Sequence, residues 1–277
     1  MKRIAAASAA ALLLAVPAAA GSPSADAVRY LQSRQLESGG FAERGGQASG
    51  ALTSWALLGM RAAGAEPGAA ARRYLERDEP QTATAVALAL LARAALGEPV
   101  EPLVRRLRGL RRPSGAIGPT VNSTVWGVLA LRQAGETVSQ ATVRFLLRRQ
   151  SASGGWPWAS RVAPDSNDTA AAVQALRAAG VGGRPIARAL TFLRRHRGAD
   201  GGFALSRGRG SDSPSTAWAI QAFLAARAPV PKGAFEYLAR MRRADGSYRY
   251  SARYDATPVW VTAQVLPALV RRPFPLR

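Results

Sequence analysis

The sequence has no cysteine, one histidine and two lysines, and each shortage excludes a class of function. Without cysteine there is no disulfide, no lipid-modified cysteine anchor, no Cys-ligated zinc and no thiol nucleophile. The single histidine, His196, follows an arginine-rich segment, where a catalytic or metal-binding role is not expected. We therefore expect no metal and no cofactor.

Acidic residues are also scarce. The chain has 17 Asp and Glu and 38 Lys and Arg, which gives a formal net charge of +21. This excess predicts attraction to an anionic partner such as a cell-envelope component. The alternative is a solvated arginine face, since the charges are spread along the whole chain. Nucleic acid is not an expected partner, because the start of the chain predicts export.

Long apolar runs are missing as well, and no stretch has the roughly 20 apolar residues that a membrane-spanning helix needs. The first 20 residues have the features of a secretory signal: Lys2 and Arg3, an apolar stretch over 4–16, and small residues at 18–20. We expect residues 1–20 to be a signal peptide and 21–277 to form a single domain. The mature chain is then a monomer that is secreted or held at the cell envelope.

Two kinds of predicted helix alternate along residues 24–277. One kind is amphipathic, as in 184–197, where Ile186, Leu190 and Leu193 share one face. The other is apolar on nearly all sides and must be enclosed by other helices. The apolar segments are 51–58, 83–91, 123–131, 169–176, 215–224 and 259–269. Six such pairs predict an all-α fold, an α6/α6 toroid of six helical hairpins.

The loops between the predicted helices are of two lengths. Those that leave an apolar helix are short, as at 64–68, 180–185 and 229–233, and most others are long. The long loops repeat a Gly-Gly-aromatic signature, clearest in Gln35-x3-Gly39-Gly40-Phe41 and Gln150-x3-Gly154-Gly155-Trp156. We expect all long loops at one end of the toroid, around the starts of the inner helices, and any ligand to dock there.

These repeats resemble the Q-x(3-5)-G-x-W repeats of the prenyltransferase and squalene-oxidase repeat superfamily, which includes squalene–hopene and oxidosqualene cyclases. The resemblance covers essentially all of the mature chain and implies a terpene cyclase-like α/α toroid. The cyclases carry a D-x-D-D-T-A motif whose middle Asp is the proton donor, and this chain has Asp165-Ser166-Asn167-Asp168-Thr169-Ala170. Asn167 has no acidic proton to give. The family cyclases are also about twice as long, with two helical domains.

Asp165 and Asp168 are the remaining catalytic candidates. Asp168 aligns with Ser123 and Ser215 in the other repeats, which predicts the plainer role of helix N-cap. Asp165, Asp212 and Asp255 occupy equivalent loop positions and are either turn residues or an acidic rim that faces a ligand.

Tryptophans recur at one repeat position of the inner helices, at Trp55, Trp126 and Trp218, with Trp260 one place away. Together with Asn167, Asp212 and Asp255 they are the ligand-binding candidates, since indoles suit an apolar chain or a cation. The alternative is that they fill the centre of the toroid. A ring of hydroxyls is also predicted one turn into the inner helices, from Thr53, Thr84, Thr124, Thr169 and Thr216.

Two functions fit these observations. The first is an exported binding or interaction module for an apolar or isoprenoid ligand or an envelope partner. The second is a terpene cyclase-like enzyme with an altered D-S-N-D acid motif. An open, aromatic-lined cavity would favour an enzyme or a lipid binder, whereas a centre filled by the protein's own tryptophans would favour a surface interaction module.

The basic start and small-residue site predict cleavage close to Ala20 and export. N-terminal sequencing of protein recovered from the culture medium and from the cell envelope should find a chain that begins near residue 21. Cytoplasmic protein that retains Met1 would contradict the predicted localisation.

Overall fold

A computed structural model describes residues 21–276, so the predicted signal peptide lies outside the described residues. This part of the chain contains twelve helices and two short strands. The outer helices are α1 (Pro23–Gln32), α3 (Ala69–Arg77), α5 (Glu101–Gly109), α7 (Gln140–Arg148), α9 (Arg184–Arg194) and α11 (Ala234–Met241). The inner helices are α2 (Gly50–Ala62), α4 (Ala83–Ala95), α6 (Val121–Gln133), α8 (Ser166–Ala178), α10 (Ser213–Ala225) and α12 (Pro258–Leu269). The strands β1 (Trp156–Pro157) and β2 (Pro164–Asp165) pair antiparallel, Trp156 opposite Asp165.

The inner helices form a closed ring, because each packs against its two inner neighbours and α12 packs against α2. The outer helices cover this ring with their apolar faces. In α9, for example, Ile186, Leu190 and Leu193 are buried while Arg184 is exposed. The predicted α/α toroid is thus confirmed. Within residues 21–276, no helix combines the length and apolar character needed to cross a bilayer.

Charged side chains are placed to match the helix dipoles, because all six inner helices run in the same direction. Carboxylates lie at their N-termini: Asp165 and Asp212 cap α8 and α10, and Glu43 accepts the N–H groups of Val259 and Trp260 at the start of α12. At the other end, guanidinium groups donate to the last carbonyls of neighbouring inner helices, Arg61 to Ala95, Arg132 to Ala178 and Arg177 to Ala225.

One buried hydrogen bond recurs at the start of five inner helices. The backbone N–H of the last residue in the loop signature donates to the hydroxyl of a threonine one turn into the following helix. The five pairs are Phe41 to Thr53 (2.9 Å), Ile117 to Thr124 (3.0 Å), Trp156 to Thr169 (2.9 Å), Phe203 to Thr216 (2.8 Å) and Tyr248 to Thr262 (3.0 Å). The bond fixes each loop to its inner helix and buries the loop side chain.

The predicted hydroxyl ring needs one correction, because Thr84 is not a member and Thr262 is. Thr53 is the fourth residue of α2, whereas the fourth residue of α4 is Val86. Thr84 is the second residue of α4, half-buried, with its hydroxyl 3.5 Å from the side-chain oxygen of Asn122. The loop before α4 lacks the glycine-aromatic signature, so no loop N–H needs a threonine there.

The glycines of the loop signature allow the loops to touch the next outer helix. Gly39 and Gly154 have φ values of +91° and +99°. A Cβ atom at Gly39 would lie 2.1 Å from the carbonyl oxygen of Ala70, and one at Gly154 would lie 2.6 Å from that of Arg188. Both the backbone conformation and the close approach therefore require glycine.

Replacing Thr53 with valine should lower the free energy of unfolding by about 1–3 kcal/mol, because the buried N–H of Phe41 loses its acceptor while the shape of the side chain is kept. Thr84→Val is the matched control and should change the free energy of unfolding by less than about 0.5 kcal/mol. Urea unfolding of both variants measures the difference. Equal effects would contradict the structural role given to the five threonines.

Candidate functional site

The first turns of five inner helices present partly exposed side chains at the long-loop end, and this surface is called here the mouth. It consists of Leu52, Thr84, Asn122, Asn167 and Trp260, which are all partly exposed. Asn122 and Asn167 are the second residues of α6 and α8 and lie four residues before Trp126 and Ala171. Residues four apart share one face of a helix, so the mouth lies directly above the side chains that point to the toroid axis.

Three tryptophans meet on that axis and form the axial cluster, Trp55, Trp126 and Trp218. Each is the sixth residue of its helix, and their ring centroids are 5.2, 5.5 and 6.0 Å apart in edge-to-face geometry. Phe274 of the C-terminal segment enters from the opposite end, with its centroid 5.6 to 6.2 Å from those of the three indoles. The backbone N–H of Phe274 donates to the buried side chain of Gln174. The axis is therefore filled by the protein's own aromatic side chains.

The three large rings fit because alternate inner helices supply them. At the sixth position α4 and α8 have Leu88 and Ala171. In α12 the register set by Thr262 puts Gln264 there, and Gln264 accepts the indole N–H of Trp218 at 2.6 Å. Trp260 lies one turn nearer the long-loop end, so its predicted position one place from the other tryptophans is wrong. It belongs to the mouth.

Asp165 and Asp168 are adjacent at the start of α8, but their structural roles differ from the prediction. Asp165 is the N-cap, and its carboxylate accepts the backbone N–H of Asp168 at 2.8 Å. Asp168 is the third residue of the helix and not a cap. Its carboxyl is 8% exposed and accepts the amide of Asn122 at 2.7 Å. The predicted cap position was three residues too late, as Thr120 before α6 also shows.

The pKa of Asp168 is raised to about 8. Burial is the main cause, the charge and hydrogen bond of Asp165 add to it, and the hydrogen bond from Asn122 has a smaller, lowering effect. Asp168 is thus protonated at neutral pH, yet it is a much weaker acid than an ordinary aspartic acid. Asn167 accepts the hydroxyl of Ser166 at 3.3 Å and has no acidic proton.

Asp212 and Asp255 have different structural roles, although the repeat predicted equivalent positions for them. Asp212 caps α10, and its two oxygens accept the N–H and the hydroxyl of Ser215 at 2.7 and 2.8 Å. Burial raises its pKa to about 6 despite these bonds. Asp255 is exposed and pairs with Arg243 and Arg249, while Glu43 serves the start of α12. Among the described residues, no group of three or more histidine, aspartate or glutamate side chains is placed to hold a metal ion.

Exposed large apolar side chains gather at the same end, and sequence reasoning missed them. Within residues 21–276, five are more than a third exposed, and all five lie in the long loops or at their first residue: Leu36, Leu110, Trp158, Val162 and Tyr254. Trp158 and Val162 stand in the turn between β1 and β2, where the carbonyl of Trp158 accepts the N–H of Asn122 at the mouth. The Pro-x-x-Ser-x-Val spacing around them gave no periodic signal.

No model of a protein family and no curated protein matches the sequence. Solved structures do match it. Type II terpene cyclase MstE from Scytonema superposes with a TM-score of 0.69 at 16% identity, covering 90% of this chain and 96% of that chain. The ent-copalyl diphosphate synthase from Streptomyces platensis gives 0.60 at 21% identity, covering 80% of this chain and 50% of that chain. The chain therefore has the α/α-toroid fold of the terpene cyclases.

The same comparisons find this fold in proteins of different named activities, and in one of them over nearly the whole chain. MstE is matched over nearly its whole length, so the expectation that terpene cyclases have two helical domains does not hold for it. A further MstE structure contains its substrate, geranylgeranyl dihydroxybenzoate, and matches with a TM-score of 0.64 at 15% identity. A polysaccharide lyase, BACCELL_00875, matches with a TM-score of 0.62 at 13% identity, covering 91% of this chain and 97% of that chain.

The raised pKa of Asp168 predicts a stability that depends on pH. The folded state holds its proton up to about pH 8, whereas the unfolded state releases it near pH 4, so the stabilisation is lost as the pH rises between these values. Asp212 contributes in the same direction up to about pH 6. Asp168→Asn should keep the hydrogen bond from Asn122 and raise the melting temperature at pH 8 relative to the unmodified chain.

Melting curves at pH 5.5 and pH 8 test this prediction, with the exposed Glu37→Gln as a control that should follow the unmodified protein. A pH dependence that persists in full in Asp168→Asn would show that the carboxyl does not carry it.

Proposed function

We propose that this chain is an exported, non-catalytic surface interaction module, because its centre is filled, and that its mouth contacts only the end of an isoprenoid chain presented at the cell envelope. The observation that carries the proposal is the axial cluster. Trp55, Trp126, Trp218 and Phe274 occupy the space in which a toroid would otherwise enclose a ligand. For a ligand that docks at the long-loop end, the axial cluster is therefore the floor of the site.

The depth of the mouth follows from the helix geometry. The mouth residues are the second or third of their helices and the axial tryptophans the sixth, so at 1.5 Å per residue they are separated by about 4.5 to 6 Å along the helix axis. This depth suits the terminal part of an apolar chain. It does not suit a long polyprene that must fold on itself and be enclosed before it can cyclise.

The side chains around the mouth favour an apolar ligand end. Leu52 and Trp260 offer partly exposed apolar surface, and Trp55 is partly exposed beneath them. Trp158, which is 53% exposed, and Val162 extend this surface along the β1–β2 turn. Burying such surface is favourable by roughly 25 cal/mol for each Å² removed from water. The substrate of MstE, which carries a geranylgeranyl group, supports the ligand class by analogy of fold.

The alternative is a cyclase-like enzyme that uses Asp168 as its acid, and one observation favours it. Asp168 keeps its proton at neutral pH, and only a protonated carboxyl can donate one. Two observations count against it. A pKa of about 8 makes Asp168 a weak acid, because burial and then the charge of Asp165 destabilise its anion, and alkene protonation demands a strong acid. The position of the family's donor is occupied by Asn167.

Binding is tested with geranylgeraniol as the probe. Hydrogen exchange maps the binding site, and titration of tryptophan fluorescence measures the affinity. We expect protection in 156–165 and in the first turns of α6, α8 and α12. Trp260→Ala should weaken binding about fivefold or more, because truncating a contact aromatic typically costs over 1 kcal/mol. Phe235→Ala, a partly buried aromatic on α11 at the short-loop end, is the matched control and should not weaken binding. Protection confined to 63–68 and 179–183 would refute the proposal.

The absence of catalysis is tested separately, by incubating the protein with squalene, oxidosqualene and geranylgeranyl diphosphate. Mass spectrometry should find no cyclic product, because losing a positioned acid removes on the order of 10² to 10⁴ in rate even for easier proton transfers. Asn167→Asp shows whether restoring the carboxyl restores turnover. A cyclic product from the unmodified chain that disappears in Asp165→Asn or Asp168→Asn would establish the enzyme alternative.

A further inference from the structure

A second cavity lies beside the mouth, between the loop 195–212 and the loop 242–257. Its volume is about 590 Å³, within the range of 300 to 1,000 Å³ that is typical of small-molecule sites. The residues that give it chemical character are Tyr237, Tyr250, Tyr254, Arg209 and Arg253, and we call it the tyrosine cleft. It is separate from the axial cluster, and the proposed function does not use it.

Both signs of charge line the cleft, from Arg209 and Arg253 and from the carboxyl groups of Asp200 and Asp212. Arg209 and Arg253 are exposed, and neither forms a salt bridge with a described residue, although Arg209 acts on Asp212 through space. The acidic side chains that line the cleft are already engaged. Asp212 accepts from Ser215, and an oxygen of Asp200 accepts the hydroxyl of Ser211 and the N–H of Gly202. The two guanidinium groups are therefore available to an anionic ligand.

Tyrosine rings form the floor and one wall. Tyr237 is buried, and its hydroxyl donates to the carbonyl of Ser211 at 2.7 Å, which fixes the floor. Tyr250 is half-buried and Tyr254 is 64% exposed, an unusual exposure for an aromatic side chain in an ordered turn. Such rings offer an apolar face to a flat, partly apolar ligand and a polar tip to its hydroxyl groups.

The turn that carries the exposed residues is held by its own hydrogen bonds. The hydroxyl of Ser251 accepts the N–H groups of Arg253 and Tyr254 at 3.3 and 3.2 Å, and the N–H of Ser251 donates to the carbonyl of Tyr254 at 3.1 Å. Arg253 and Tyr254 are thus presented together from a closed turn. A turn whose backbone is already fixed loses less freedom on binding than a mobile loop does.

We propose that the tyrosine cleft binds an acidic oligosaccharide, with the rings of Tyr250 and Tyr254 against sugar faces and with Arg209 and Arg253 on sugar carboxylates. The arginines, the tyrosine rings and the fixed turn together fit no simpler ligand equally well. An isoprenoid chain would make no use of the guanidinium groups of Arg209 and Arg253, and a small inorganic anion would make no use of the tyrosine rings. The same protein then has two docking places at its long-loop end, one apolar and one anionic.

The experiment is isothermal titration of the full chain with trigalacturonic acid at physiological salt. We expect saturable binding at one site. The double variant Arg209→Gln with Arg253→Gln should weaken it about tenfold or more, through loss of charge-assisted hydrogen bonds. Tyr254→Ala should weaken it about fivefold with all charges kept. Arg144→Gln, which removes an exposed charge from α7, is the matched control and should leave the affinity unchanged.

Tripolyphosphate carries negative charge but has no sugar rings. It therefore distinguishes recognition of an oligosaccharide from electrostatic attraction to a basic protein. We expect its binding to be weaker and insensitive to Tyr254→Ala. Equal affinity for both probes with no effect of Tyr254→Ala would overturn the assignment of an oligosaccharide. An equal loss in Arg144→Gln, or no saturable binding of trigalacturonic acid, would overturn the site itself. The Trp260→Ala variant should bind trigalacturonic acid normally, so failure of this inference and failure of the proposed function are distinguishable.

Discussion

The hydrogen bond from a loop N–H to a threonine hydroxyl on the following inner helix is the interaction on which the rest of this structure depends. Among the described residues it occurs five times, each time buried, and it holds a glycine-containing loop over the start of an inner helix. A buried N–H without an acceptor costs about 1–3 kcal/mol, so five such loops could not lie against the ring without it. The mouth and the tyrosine cleft are both bordered by loops that are fixed in this way.

The common direction of the six inner helices decides where charge is placed. Their N-termini meet at one end, where Asp165, Asp212 and Glu43 take up free N–H groups, and arginines take up the carbonyls at the other. This accounts for part of the arginine excess without any ligand. It also explains why Asp168 is not ionised at neutral pH, since Asp165 already occupies the helix terminus and burial leaves the second carboxyl without a cation.

A toroid can enclose a ligand or fill its own centre. An enclosing cavity suits catalysis, whereas a filled centre leaves docking at the surface. Terpene cyclases and a polysaccharide lyase share this fold, so the architecture alone does not choose a reaction. Here the axis is occupied by three indoles and Phe274, and the tyrosines and arginines of the cleft lie in or beside the long loops. The surface at the long-loop end therefore carries both proposed docking places.

The sequence by itself determined the twelve helices, their alternation and the end at which the long loops gather, because these follow from local periodicity and from glycine positions. It placed the tryptophans on the inner helices but not the register of α12, so Trp260 was assigned to the wrong turn, and it put the helix caps three residues late. Only the tertiary structure decided that Glu43 serves α12, that Phe274 enters the axial cluster and that Asn122 meets Asp168. Each of these contacts joins residues 46 or more positions apart, and no local pattern encodes a contact that depends on closing the ring.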